Sequence, residues 1–273
     1  MRLMPTLPRP HPDQLSSLGA LVLLAIGLVR VVALPTLPIE FSAAGLLIRL
    51  EFNSAFVLIM LAAALTVTGA DWLTRSHPRP PSGWSRLESV IVPGLGTLAA
   101  GTILTRVEPG PALWLGLAAA GGALMAILLA EFVVLDPTDP RRAAASAGLT
   151  VLTLVLLTGV YFALFALGVR AVFSVPITFL TTFAVSWRLL RLHLPAAEPL
   201  LLSLAIAAAV TEVGWGLHYW PLAPAQPALL LGLLAYLAFQ AAVAHRRGQL
   251  TTRRAGEYAL VAAAGLAGII LLR

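Results

Sequence analysis

The chain has 273 residues, of which 59% are hydrophobic and only 11% charged, and its mean hydropathy is +0.91. Soluble domains hold roughly 45–50% apolar and ~25% charged residues, so a water-soluble core cannot hide this much apolar surface. The net charge of +6 is carried by 18 basic residues, all arginine and spread over short loops, which excludes a nucleic-acid-binding face or tail; the absence of cysteine and lysine excludes disulfides, thiolate metal sites, thiol catalysis and Schiff-base chemistry.

Taken in order, the apolar runs predict nine membrane spans at about 15–34, 52–72, 87–106, 111–135, 144–168, 171–191, 198–220, 225–245 and 256–272. Each has the roughly 17–25 residues that carry a helix across a ~30 Å hydrocarbon layer. Barrel strands would alternate over ten residues, whereas runs such as Leu149–Leu157 do not. The expected fold is therefore all-α, a polytopic transmembrane helix bundle forming one membrane domain over 1–273. Prolines punctuate it at Pro35 and Pro38, Pro78 to Pro81, Pro109 to Pro111, Pro137 and Pro140, Pro195, Pro221 and Pro224.

The first span carries Arg30 near its outer end. It reads either as a retained helix or as a signal peptide cut after Val31-Val32-Ala33, which leaves eight spans in the same orientation. Residues 38–52 also admit two readings. Alternation at Ile48, Arg49, Leu50, Glu51 and Phe52 after Ala43-Ala44-Gly45 predicts an external hairpin, and the other reading is a tilted extension of span two.

Span two ends at Asp71-Trp72 with Arg75 beyond it, and span four at Glu131-Phe132. Span six ends at Ser186-Trp187 with Arg188 following, and span eight holds Gln240. Asp71, Glu131, Gln240, Arg75 and Arg188 thus form a candidate cluster at one membrane face. It is either a pocket for a polar head group or an interfacial ring of acids paired with loop arginines. The similar intervals between these ends fit a duplicated two-helix unit, or simply a chain of regular helical hairpins. Gly94, Gly96 and Gly101 in span three read as small-residue helix packing, as do Ala118 with Gly122 and Ala264 with Gly268.

Between spans four and five, Asp136-Pro-Thr-Asp139 has the DxxD form of the magnesium-binding aspartates in membrane prenyltransferases. Those enzymes need two such motifs on one cavity, and a single copy flanked by prolines and Arg141-Arg142 reads instead as a tight loop. Asp136 and Asp139 are the weak metal candidates; no other metal ligand set, cofactor or catalytic motif is expected, since HExxH and GxSxG are both missing.

The sharpest chemical feature is Glu212 in span seven. It lies roughly 12 Å inside Trp220, where translocon-type scales put an acidic residue at about +2.5–3.5 kcal/mol. It is expected to pair structurally, with Arg30 the best-placed base, or to handle a substrate or proton. Thr211, Trp215 and His218 share one helical face beside it, and together they outline a candidate outward cavity or an ordinary aromatic belt.

Arginine placement sets the orientation. Arg2, Arg9, Arg75, Arg79, Arg86, Arg141, Arg142, Arg188, Arg191, Arg246, Arg247, Arg253 and Arg254 fall on one side, against Arg30, Arg49, Arg106, Arg170 and Arg273 on the other. The positive-inside rule then predicts a cytoplasmic N-terminus and an external C-terminus. At GADWLTRSHP (69–78) and AEFVVLDPTDPR (130–141) the chain resembles an uncharacterised family of bacterial polytopic membrane proteins. That resemblance implies a multi-pass protein of the bacterial inner membrane and supplies no catalytic residue. The functional expectation is a transporter- or permease-like component with a polar site near mid-membrane. The alternatives are a scaffold subunit, joined to membrane partners or to copies of itself through small-residue faces, and a lipid or isoprenoid enzyme. The bilayer is the expected surrounding partner.

Overall fold

A computed structural model describes residues 12–28, 37–43, 46–52, 54–194 and 199–272. Among the described residues nine helices follow one another: α1 (Pro12–Leu28), α2 (Ser54–Arg75), α3 (Trp84–Leu104), α4 (Pro111–Val134), α5 (Arg142–Ala166), α6 (Ala171–His193), α7 (Leu200–His218), α8 (Ala225–Arg246) and α9 (Thr252–Leu271). Eight of these, α2 to α9, are long and apolar enough to cross a membrane. α1 is described over 17 residues, and the rest of its predicted span lies outside the described residues, as does Arg30.

The helix ends follow local chemistry. Pro111 opens α4 at the first turn, where a missing N–H costs nothing, and Thr251 caps α9 by accepting the Arg254 amide. Gly168 and Gly248, both with φ near +60°, close α5 and α8 in the left-handed region that a side chain rarely adopts.

Between α1 and α2, Leu37–Ala43 (β1) and Leu46–Phe52 (β2) pair antiparallel, from Leu37 opposite Phe52 to Ala43 opposite Leu46. Of the two readings of 38–52, the backbone follows the hairpin. Only residues 44 and 45 stand between the paired ends, the short connection that antiparallel strands favour.

The chain divides into two compact units, residues 1–149 and 150–273. In the first, α1 to α4 enclose an apolar core of Leu18, Val22, Ile26, Ala62, Leu73, Leu128 and Phe132. The close helix approach predicted at the glycines of α3 is present: a Cβ on Gly101 would lie 2.9 Å from Ile59, and one on Gly94 3.0 Å from Val67. Thr66 and Thr97 share a hydrogen bond of 2.8 Å between α2 and α3.

In the second unit α7 packs on α6 and α8, and α9 packs on α8 from the periphery. α5 is fastened by side chains: the Tyr161 hydroxyl lies 2.6 Å from Thr182 Oγ1 of α6, and Phe165 lies against His218 of α7. Two predicted packing pairs behave differently from those of α3. Ala118 with Gly122 on α4, and Ala264 with Gly268 on α9, are exposed, and a Cβ on either glycine would meet open space.

Candidate functional site

In the first unit, the loops after α2 and after α4 meet at one end of the bundle. α2 ends at Arg75, and the chain turns through Ser76, whose hydroxyl donates to the Leu73 carbonyl. His77 then drops into the core. It is 3% exposed, its ring stands edge-on to Phe132 at 4.6 Å, and its Nδ1 accepts the Arg79 amide at 3.0 Å. Nε2 is buried and makes no hydrogen bond among the described residues.

Around this histidine the acidic side chains are taken by arginines. Asp71 accepts from Arg75 one turn later, while Arg86 Nε stands 3.5 Å from its other oxygen, an ion-pair distance too long for a hydrogen bond. Asp136 Oδ1 accepts from Arg79 Nη1 at 2.6 Å, from the Thr138 hydroxyl at 2.7 Å and from the Thr138 amide at 2.9 Å. Asp139 is gripped by Arg141, with Nε at 3.1 Å, Nη2 at 2.7 Å and the amide at 2.8 Å. That fork fixes the loop geometry as well as the charge.

The DxxD segment is therefore an Asx-type turn clamped by arginines, with Asp136 and Asp139 both committed to protein donors. Among the described residues no group of three or more histidine or acidic side chains is placed to hold a metal ion. Hydrogen bonds from the Thr138 hydroxyl and amide hold Asp136 below its ordinary value near 3.8, aided by Arg79 and more weakly by His77. The Arg141 guanidinium does the same for Asp139, and partial burial opposes both shifts.

A folded carboxylate that binds its proton more weakly than the unfolded chain stabilises the fold above the unfolded pKa, and that contribution disappears as pH falls through the lowered folded value. Amide protection across 135–142, taken relative to the intrinsic exchange rate at each pH, should accordingly hold from pH 7 down to the ordinary carboxylate range and fall below it. Asp139→Asn, which keeps the shape but weakens the Arg141 fork, should bring fast exchange even at pH 7. Identical protection in the variant would show that Arg141 does not hold this turn.

Of the predicted cluster, Asp71, Arg75 and Glu131 belong to the first unit, and Arg188 and Gln240 to the second. Glu131 is 1% exposed and Arg188 7%, and neither is free of interactions. Gln240 donates to the Tyr236 hydroxyl at 3.3 Å, and its backbone carbonyl accepts from Tyr258 of α9. At the same end of the second unit, Arg247 Nη2 donates to the His193 carbonyl at 3.1 Å and tethers the end of α6.

The residues of α7 divide between two environments. Thr211 is buried, and its hydroxyl lacks a partner among the described residues; His218 is half-buried between Phe165 and Tyr219. Glu212 and Trp215 lie on the outside, with the Trp215 indole N–H donating to the Tyr219 hydroxyl at 3.3 Å. The face that Thr211, Trp215 and His218 share thus straddles the border between packed and open surface. Among the described residues Glu212 makes no hydrogen bond or ion pair.

Among the described residues three cavities stand out. One of about 700 Å³ lies in the first unit between α1, α3 and α4. One of about 520 Å³ lies beneath the α7–α8 connection, and one of about 510 Å³ between α5, α8 and α9. Glu212 lines none of these three.

Sequence reading put His77 and Glu88 in no site, although both are buried, at 3% and 5% exposed. A lone histidine two residues past a helix end carries no periodicity, and Glu88 sits one turn into α3, where an acid normally reads as a solvated helix start.

Helices of membrane-crossing length whose loop acids are neutralised by arginines define an integral, multi-pass helical membrane protein. The chain belongs to the DUF5656 family, described as a protein of unknown function, whose model matches residues 34–272. That match includes 69–78 and 130–141, and it agrees with the resemblance read there in that the family is uncharacterised. No curated protein and no solved structure matches it.

Proposed function

We propose that this chain is a subunit of a larger membrane assembly, joined to another protein through the outer face of α7. The observation that carries this reading is Glu212: an exposed carboxylate, six residues or about 9 Å inside the end of α7, with no partner among the described residues. Such a side chain facing lipid costs about 2.5–3.5 kcal/mol on insertion scales, and a neighbouring helix that offers a donor or a cation at that depth removes the cost.

The surroundings of Glu212 suit close helix approach. Ala205, Ala208, Ala209 and Gly216 fall within one helical face of it, all are exposed, and a Cβ on Gly216 would meet nothing within 4 Å. A second copy meeting this face across a twofold axis would bring two Glu212 carboxylates together. The fitting partner is therefore a different chain with a basic or hydrogen-bond-donating side chain. A transporter site built on Glu212, Trp215 and His218 would need these residues to converge on one cavity, and the geometry favours the assembly reading over it. The orientation proposed with it is a cytoplasmic N-terminus in a bacterial inner membrane, supported by the arginine asymmetry.

Because the chain has no cysteine, single cysteines report cleanly. Ala208→Cys in native membranes should cross-link to a heavier species of a second protein, and Glu212→Leu in the same background should abolish the cross-link while leaving the melting temperature of the isolated chain unchanged or higher. Glu212→Gln, which keeps hydrogen bonding, should retain part of it. A cross-link indifferent to Glu212→Leu, or none at all, overturns the proposal.

A further inference from the structure

The cavity of about 700 Å³ in the first unit falls in the ~300–1,000 Å³ range of small-molecule sites. Its walls are the last two turns of α1, the end of α3 and the start of α4, represented by Leu24, Gly27, Leu104 and Leu117. They are almost wholly apolar. Thr105 lines one edge, with its hydroxyl already donating to the Thr102 carbonyl at 2.7 Å, and Trp114 lines the other, 72% exposed.

Apolar walls alone do not select a lipid, because a groove filled from the bilayer exchanges hydrocarbon for hydrocarbon. Selection needs a polar contact at the mouth. Arg106 follows Thr105 directly, and Glu108 comes two residues later; both are exposed, and among the described residues neither makes an ion pair. A cation and an anion without an ion-pair partner among the described residues thus follow the groove-lining Thr105 in the α3–α4 connection, and Trp114, of the kind enriched at headgroup level, lines the groove itself.

We infer that this groove binds one acyl chain of a glycerophospholipid whose headgroup carries both a phosphate and an ammonium, with Arg106 holding the phosphate and Glu108 the ammonium. Guanidinium–phosphate contacts are charge-assisted and geometrically specific, so Arg106 supplies the affinity. Glu108 discriminates against a purely anionic headgroup, which it repels. The site belongs to the first unit alone and does not depend on the α7 interface.

The test uses the full chain in nanodiscs containing equal parts of phosphatidylethanolamine, phosphatidylglycerol and diacylglycerol, with retained lipid read by native mass spectrometry after release into detergent. One phosphatidylethanolamine per chain is expected, preferred over diacylglycerol by about tenfold, as a single charge-assisted contact supplies. Ala118→Phe and Ala20→Phe place rings in the groove from exposed positions, so the core stays intact, and each should empty it. Arg106→Gln should keep a lipid but lose the preference over diacylglycerol, and Glu108→Gln should raise the share of phosphatidylglycerol. The inference is overturned if the wild-type chain retains no lipid, if both phenylalanine variants retain as much as wild type, or if diacylglycerol competes equally.

Discussion

Replacing Gly69 with leucine is expected to destabilise the first unit through a clash at the contact between α1 and α2. A Cβ at this position of α2 would fall 2.1 Å from Leu18 Cδ1 and 2.8 Å from Cδ2, so the Leu18 side chain of α1 rests on the bare backbone of Gly69. Leu18 has little room to retreat, since it is 5% exposed and packs in the cluster that includes Val22, Ala70, Leu73 and Phe132.

Two opposing effects act on the variant. Leucine in place of glycine gains about 1 kcal/mol of helix propensity, whereas forcing a whole side chain into a filled core costs about 1–3 kcal/mol and sometimes more. With backbone-level contact at Gly69, packing wins. The check is thermal unfolding in detergent, followed by the fluorescence of Trp72, Trp84 and Trp114, all of which lie in the first unit. Leu18→Ala added to Gly69→Leu should recover much of the loss by vacating the contested volume, with a coupling energy that neither single change shows. Additive losses would mean that α1 and α2 do not meet here. Gly19 is a useful contrast: its Cβ would meet Met125 Cε, the end of a flexible thioether that can swing aside, so Gly19→Ala should be mild.

The elements themselves were legible because length and hydropathy decide them. A run of apolar residues between prolines has few ways to satisfy its backbone in lipid, and the spans read from sequence match α2 to α9 to within a few residues at each end. Segment 38–52 stayed open because short apolar alternation fits a strand and a tilted helix equally, and the paired backbone of β1 and β2 decides it.

The facing of the helices was not legible, and for one physical reason. α4, α7 and α8 are apolar nearly all round, so no polar stripe marks the side turned outward. Thr211 and Glu212 are neighbours in sequence and about 100° apart on α7, and that rotation alone separates a buried hydroxyl from an exposed carboxylate. Small residues are ambiguous in the same way: Gly101 receives Ile59, whereas Gly122 and Gly268 receive nothing. The arginine clasps on Asp71, Asp136 and Asp139 were partly legible, since acid and base lie within a few residues of each other at Asp71 with Arg75 and at Asp139 with Arg141. Arg79 reaches Asp136 across 57 residues, and no spacing announces that pair.

In the second unit the decisive residue is Tyr161, the largest of the fully buried side chains, at 0% exposure. It ties α5 to α6 in two ways, by the volume of its ring and by the 2.6 Å hydrogen bond between its hydroxyl and Thr182 Oγ1. Tyr161→Phe removes the second alone. Hydrogen bonds between membrane helices average about 0.6 kcal/mol, and Thr182 keeps its own bond to the Thr178 carbonyl, so this variant should lose less than about 1 kcal/mol. Tyr161→Ala removes the ring as well and should cost about 3–5 kcal/mol, the range for emptying an aromatic site in a packed core. Packing rather than hydrogen bonding then accounts for most of the α5 attachment, as expected where lipid tails leave van der Waals contact as the main force between helices. Unfolding in detergent, followed at Trp187, Trp215 and Trp220, measures both variants, and phenol should restore stability to Tyr161→Ala by filling the space and meeting Thr182. Equal losses in Tyr161→Phe and Tyr161→Ala would reverse the order and make the Tyr161–Thr182 hydrogen bond the element that holds α5 in place.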